Sequence, residues 1–311
     1  MGTLVLEKEN SHNFIKNYVD AFLNQDRHCL ILKLTLMFAF TLTRSEYYLH
    51  IPLQAFTLYM VLSDVLAKNK TAWIVNTAVH FLIIFSQWDY IDNHKWLSCY
   101  WMLACNLSLY VSNPLKMLRE SARMLIGWLF FIATFHKFDW LQFHDGSFMH
   151  FTFLTDGRFE WTMGLTTGMT MDKLPANYRA EDFFSRLPLA FDYFNLNTNL
   201  GIRIWAFFSS WWVIFIEGIV GISFLFAKKS RFFNQIKDGS LIVFMITTYS
   251  IVMVSGFNFM LLLLGFANTR VNQKKICYWY MFCFCLFEFR KLPLLRWSNI
   301  LFGTISSYFV S

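Results

Sequence analysis

The sequence is poor in charged residues, and this deficit decides its class. Asp, Glu, Lys and Arg make up only 15% of the 311 residues, whereas ordinary soluble domains carry about 25%. Hydrophobic residues reach 56% and aromatic residues 20%, including 37 Phe and 12 Trp. The composition therefore excludes an ordinary soluble domain and indicates an integral membrane protein.

Several motifs with a known chemistry are also missing. The sequence has no Gly-rich phosphate loop, no G-x-S-x-G elbow and no aromatic-basic interleaving suited to nucleic acid. Its six cysteines lie within or beside apolar runs without metal-type pairing, which is typical of packing residues. His136, His144 and His150 are eight and six residues apart, which does not match paired metal ligands on a helix. We expect neither a metal nor a nucleic-acid partner.

Long apolar runs predict an all-α, polytopic helical bundle in the lipid bilayer. A helix needs roughly 20 apolar residues to cross the hydrocarbon core, and we predict about 7–9 helices from the runs. The spans are predicted at 29–48, 52–67, 72–88, 94–111, 122–137, 204–226 and 240–266, with shorter segments at 277–289 and 300–310.

The residues outside these spans predict an orientation. Residues 1–28 form an amphipathic cytoplasmic lead without a cleavable signal pattern. The basic loops lie at 68–70, 114–123 and 228–237. The interval 138–201 is net acidic, so the positive-inside rule places it as one long extracytoplasmic loop. The basic connector 268–275 falls on the wrong side, which leaves either an irregular seventh span or last helices that do not all cross.

The segment IATFHKFDWLQFHDGSFMH, residues 132–150, carries the densest group of ionisable residues at a predicted helix end. Lys137 is its leading candidate for chemistry. It either snorkels to the headgroups or is desolvated by apolar neighbours and acts as a base near neutral pH. Protonated His136 would push Lys137 toward the neutral amine as well. The apolar neighbours are Phe135, Phe138 and Trp140.

Other candidates follow from the predicted topology. The fourth span starts and the fifth span ends on the outer side, so Asn93 and His94 are expected at the same depth as Lys137. Asn93 is equally suited to cap the fourth helix. Glu217, in the middle of the sixth span, should face the bundle interior, paired with Lys137, with Lys33 or with nothing charged. His80, in the middle of the third span, fits a hydrogen-bonded core residue better than a ligand.

The segment FHKFDWLQFHDGSF resembles the vitamin K-dependent γ-glutamyl carboxylases and the wider HTTM (horizontally transferred transmembrane) family. In that family an apolar helix ends in a His-Lys or Lys-Lys pair, followed by a Trp and a Gly. The upstream DNHKW is similar to the Asn-His pair that opens the family's preceding helix. The resemblance covers roughly residues 25–290 and implies an HTTM-like transmembrane domain over 29–311. In size the chain is similar to short bacterial SdpB-like proteins.

This resemblance implies a carboxylase- or epoxidase-like lyase in a bacterial cell membrane. It would use a reduced quinone and oxygen to modify a secreted peptide or small substrate at the extracytoplasmic face. The implied base is Lys137, assisted by His94 with Asn93. The other implied site residues are His136 as a catalytic neighbour, with Trp140 and Glu217 toward the cofactor. The alternative is a non-catalytic membrane protein for the maturation, export or immunity of a secreted peptide.

Overall fold

A computed structural model of the chain describes residues 26–42, 50–86, 88, 93–169, 177, 196–252 and 254–289. All regular structure in these residues is helical, which confirms the all-α class. The helices are α1 (Arg27–Leu42), α2 (His50–Leu62), α3 (Asp64–Ala67), α4 (Lys70–Ser86), α5 (Asn93–Ser108), α6 (Pro114–Asp139), α7 (Leu141–His144), α8 (Ser147–Thr155), α9 (Glu160–Thr167), α10 (Leu200–Phe226), α11 (Arg231–Tyr249), α12 (Ser255–Asn268) and α13 (Lys274–Phe289), with a 3-10 turn at Gly157–Phe159. Most of the predicted N-terminal lead and the segment 300–310 lie outside the described residues.

The helices belong to two compact units. The first comprises residues 1–125 and 259–278, and the second comprises residues 126–258 and 279–311. Helix α6 therefore begins in the first unit and ends in the second.

Buried polar contacts accompany the apolar core of the first unit. The indole nitrogen of Trp101 donates to the Thr35 hydroxyl at 2.9 Å, and that of Trp73 donates to the Ala67 carbonyl at 2.7 Å. Both indoles are fully buried. Because a buried indole N–H without a partner is costly, these two bonds let large aromatic side chains fill the core.

Helix α6 begins within the segment that the sequence predicted as a connector. Pro114 occupies its first position, where the missing amide hydrogen costs nothing. The Asn113 side chain accepts the Lys116 amide at 3.1 Å, which caps this helix end. The prediction of a basic loop at 114–123 is therefore wrong, because its charges lie on the first turns of a 26-residue helix.

The predicted loop 138–201 also contains helices in its described part. Helices α7, α8 and α9 follow α6 directly, and their apolar residues pack against the start of α10. Gly146 joins α7 to α8 at φ 77°, and a Cβ there would lie 2.9 Å from the Phe207 Cα. The polarity of the whole interval concealed the apolar cluster. Its buried members are Phe153, Leu154, Phe159, Met163, Met169, Ile202 and Ala206.

The predicted seventh span is broken. Helix α11 starts at Arg231, inside the predicted basic connector 228–237, and ends at Tyr249. Helix α12 resumes at Ser255, so the segment 240–266 is not a single continuous helix. Whether the last helices all cross stays a prediction.

One described helix, α10, is long and apolar enough to cross a membrane. It has 27 residues with a mean hydropathy of 1.7 in its best window, and it contains the predicted span 204–226. The described helices at the other predicted spans are shorter, such as the 16 residues of α1 and the 13 residues of α2. The complete membrane bundle stays a prediction.

Candidate functional site

The second unit brings together Lys137 and Glu217, which lie 80 residues apart in sequence. The Lys137 Nζ donates to the Glu217 Oε2 at 2.6 Å. The two side chains are 19% and 10% exposed, so the pair is largely removed from solvent. Of the three arrangements that the sequence left open for Glu217, the structure selects the pair with Lys137. Lys33 pairs instead with Asp64, at 2.5 Å.

Close packing between α6 and α10 places the two charges side by side. Gly221 lies so near α6 that a Cβ there would be 2.7 Å from the Phe131 amide nitrogen. Gly127 is covered by Leu225, and Gly218 faces Thr134. The contacts pair Gly127 with Leu225, Phe131 with Gly221 and Thr134 with Gly218. Residue numbers therefore rise along α6 as they fall along α10, so the two helices are antiparallel. Small residues permit this approach of the backbones.

The immediate surroundings of the amine differ from the sequence prediction. Phe135, Phe138 and Trp140 were expected to desolvate Lys137, yet they are 68%, 53% and 53% exposed. The amine is instead flanked by Glu217 and by the Phe143 ring, whose centroid lies 5.7 Å from the Nζ. Neighbours in sequence point to other faces of a helix end, whereas α7 folds back and brings Phe143 to Lys137.

An imidazole, that of His144, directly follows Phe143 in α7 and is surrounded by aromatic rings. Its ring stacks on Trp211 at a centroid distance of 5.6 Å and meets the edge of Phe138 at 6.0 Å. The Nε2 of His144 is buried and has no hydrogen-bond partner within the described part of the chain. From its spacing, His144 was predicted only as a possible metal ligand to be excluded, because residue spacing does not reveal its contact with α10.

The other predicted residues of the segment lie at its surface. His136 is exposed, and so is Trp140. His150 shares a 2.8 Å hydrogen bond with the Thr198 hydroxyl. Burial, reinforced by the nearby Arg203 charge, lowers the pKa of His150 below its ordinary value. The three histidines do not assemble with other ligand-type side chains, since no group of three or more His, Cys, Asp or Glu that could hold a metal is found among the described residues.

Asn93 and His94 lie in the other unit. Asn93 is the first residue of α5, and His94 follows it, half-buried. Because Lys137 belongs to the second unit, the predicted chamber shared by His94 and Lys137 stays a prediction. His80 is a buried core residue bonded to the Ser98 hydroxyl at 3.1 Å, as its mid-span position predicted.

A further buried ion pair in the second unit was missed by sequence reasoning. The Lys237 Nζ donates to the Asp238 Oδ2 at 2.7 Å, and the Tyr280 hydroxyl donates to the other oxygen at 3.1 Å. Lys237 also lies 5.4 Å from the centroid of the Phe224 ring. The useful signal was Lys-Asp directly before an apolar run, which places both charges inside α11 rather than in a connector.

Comparison of the chain with family models, with curated proteins and with solved structures gave no match.

Proposed function

We propose that this chain is a multi-pass membrane protein that carries out quinol- and oxygen-dependent modification of a peptide or small substrate at the extracytoplasmic face. The observation that carries the proposal is the Lys137–Glu217 pair, which is largely buried. Glu217 belongs to α10, the described helix that is long and apolar enough to cross a bilayer. Ionisable groups at such a depth are costly, and they usually serve a function.

Two features support the membrane setting. Helix α10 has the length and composition of a span. Many large apolar side chains are exposed along it, including Phe207 at 45%, Phe208 at 66% and Phe215 at 61%. Soluble monomers rarely expose continuous apolar patches of this kind, whereas lipid accommodates them. We infer a cytoplasmic N-terminus from the excess of Lys and Arg in the segments assigned to the inner side, and a bacterial cell membrane from the resemblance to short SdpB-like proteins.

The proton chemistry follows from the pair. To accept a proton from a substrate hydroxyl, Lys137 must first be a neutral amine. Glu217 can take the proton from the Nζ across the 2.6 Å hydrogen bond, which neutralises both groups without changing the total charge. Low polarity favours this neutral arrangement, while mutual attraction favours the charged one. Lys137 is thus the proposed base, and Glu217 holds the proton that the base must lose.

The surrounding side chains fit a reduced quinone. Such a molecule needs a flat apolar environment and polar groups that face its hydroxyls. Phe143 lies at the amine, and Trp211 stacks on His144 close by. When bound, a reduced quinone would supply an acidic hydroxyl and the two electrons that oxygen takes up. In this proposal Lys137 removes the hydroxyl proton, and the aromatic side chains orient the ring and exclude water. Trp140, His136 and the Asn93–His94 pair remain proposed contributors.

The decisive experiment replaces the amine. Membranes containing the chain are supplied with a reduced quinone, and oxygen uptake is measured. We expect Lys137→Ala to lower the rate of oxygen uptake about 10²- to 10⁴-fold, which is the usual contribution of a general base. Lys229→Ala removes an exposed lysine and should leave the rate unchanged. Glu217→Gln should also reduce the rate, because it removes the proton acceptor for Lys137.

The alternative function is non-catalytic, in the maturation, export or immunity of a secreted peptide. The short Lys137–Glu217 contact favours this alternative in one respect, because an ion pair between two packed helices also fixes their relative register. This alternative predicts no oxygen uptake above background, and it predicts that a folded, membrane-inserted Lys137→Ala variant still supports the cellular phenotype. That second outcome would remove the enzymatic proposal.

A further inference from the structure

His144 is a third polar group near the Lys137–Glu217 pair, and its Nε2 has no hydrogen-bond partner in the described chain. Buried polar atoms in proteins are nearly always hydrogen-bonded, and an unsatisfied one destabilises the folded chain. In the described chain the Nε2 has no such bond. Two aromatic rings, those of Trp211 and Phe138, contact the imidazole and restrict its orientation.

The position of this imidazole relates it to the reactive pair. Phe143, its immediate neighbour in α7, lies against the Lys137 amine, and Phe138, the residue after Lys137, lies against the imidazole. Trp211 belongs to α10, six residues before Glu217 and thus about 9 Å along the helix axis. The amine and the unsatisfied nitrogen therefore belong to one aromatic cluster, formed by Phe138, Phe143, His144 and Trp211.

Access to the cluster is available from outside the unit. Trp211 is 41% exposed and Phe138 is 53% exposed, although both contact the imidazole. A flat ligand can therefore reach His144 by displacing one exposed ring rather than by opening the core. The ligand must be apolar over most of its surface, to suit the rings, and must carry an oxygen that bonds the imidazole nitrogen.

We propose that the unsatisfied Nε2 of His144 binds one oxygen of a quinone-class ring. The inference rests on the proposed function, because it names a binding residue for the cofactor class used there. The neutral imidazole can donate from Nε2 to a carbonyl or accept from a hydroxyl, depending on its tautomer. His144 thus recognises both redox forms, whereas Lys137 acts on the reduced form.

The test compares two ligands of the same shape. Duroquinone carries two carbonyl oxygens, and durene is the same methylated ring without them. Binding of each to the detergent-solubilised chain is measured by calorimetry. We expect His144→Phe to weaken duroquinone binding about three- to tenfold, the value of one hydrogen bond, with durene binding unchanged. His150→Phe is the matched control and should alter neither affinity, because His150 bonds Thr198 instead.

Two results would overturn the inference. One is unchanged duroquinone binding in His144→Phe, and the other is an equal loss for durene, which would mean that the imidazole only packs. Should the variant fail to fold, the wild-type chain labelled with ¹⁵N-histidine gives an independent answer. Duroquinone must then shift the Nε2 resonance of His144, while durene must not, and an unmoved resonance rejects the inference.

The same measurements separate this inference from the proposed function. Oxygen uptake that survives Lys137→Ala removes the proposed base chemistry but leaves the His144 affinity difference standing. Conversely, a Lys137-dependent rate together with a His144→Phe variant of normal duroquinone affinity retains the enzyme and rejects His144 as its ligand-binding residue.

Discussion

At the scale of single residues, the second unit contains two buried ion pairs. Lys137 and Glu217 neutralise each other across two helices, while Lys237 and Asp238 do so within one turn. A buried ion pair returns little net stability, but removal of one partner leaves an uncompensated charge. The consequences of mutation should therefore depend strongly on whether one partner or both are replaced.

We predict that Lys137→Met destabilises the folded chain by about 2–4 kcal/mol, because Glu217 is left without its counter-ion. The double variant Lys137→Met/Glu217→Gln should recover most of this loss, since no buried charge remains. Thermal unfolding in detergent measures both. Lys33→Met is the control, and it should destabilise the chain much less than Lys137→Met because its partner Asp64 is 76% exposed. Equal destabilisation by the single and double variants would contradict this account.

His150 gives a pH-dependent prediction. Its pKa is lowered in the folded chain by burial and by Arg203, so the unfolded chain binds the proton more readily. Stability is then complete above the ordinary histidine pKa of about 6.5 and falls as the pH drops below it. Unfolding measured between about pH 7.5 and 5 should show this decline, and His150→Gln should make the decline less steep. An unchanged slope in that variant would exclude His150 as the source.

At the scale of helices, the register between α6 and α10 matters most. The sequence predicted a helix end at Lys137 and a buried Glu217, but it could not choose the partner of Glu217. That choice depends on which glycines allow the two backbones to approach, and a glycine's role is visible only after the helices are placed. Pro114 illustrates the same limit. The sequence predicts a boundary near this residue, but only the cap formed by the Asn113 side chain shows that a helix begins there. The all-α class followed directly from the apolar runs.

Gly221 tests the register. Gly221→Ala would place a Cβ 2.7 Å from the Phe131 amide nitrogen. We expect a loss of about 1–3 kcal/mol, the usual cost of overpacking. Gly239→Ala is the matched control, because a Cβ there meets nothing within 4 Å and alanine favours the helix by about 1 kcal/mol. Denaturation of the two variants should thus move in opposite directions, and a neutral Gly221→Ala would argue against the close contact.

At the scale of the whole molecule, the predicted orientation governs where chemistry takes place. If α10 crosses the bilayer, the residues before and after it face different compartments. In the orientation that we propose, the aromatic cluster would lie toward the side of the 138–201 segment, and the basic residues after α10 would lie on the cytoplasmic side. This arrangement is what an enzyme acting on a secreted substrate requires.

Labelling of one introduced, exposed cysteine at a time in intact cells checks the orientation. In a Cys285→Ser background, which removes the exposed native cysteine, we expect Gln142→Cys to react with a membrane-impermeant maleimide. Lys229→Cys should react only after the cells are lysed. Both positions are exposed in the folded chain, so a difference reports sidedness rather than burial. Equal labelling in intact cells would rule out α10 as a span.

The matched steps along α6 and α10 also limit how this chain can change in length. One extra residue between Thr134 and Lys137 would rotate the amine by about 100° around the helix axis, away from Glu217, while the glycine contacts stayed in place. An insertion in the chain between α9 and α10 would alter neither α6 nor α10 and would leave both partners where they are. Evolution can therefore lengthen the chain between the two helices far more freely than it can lengthen either helix.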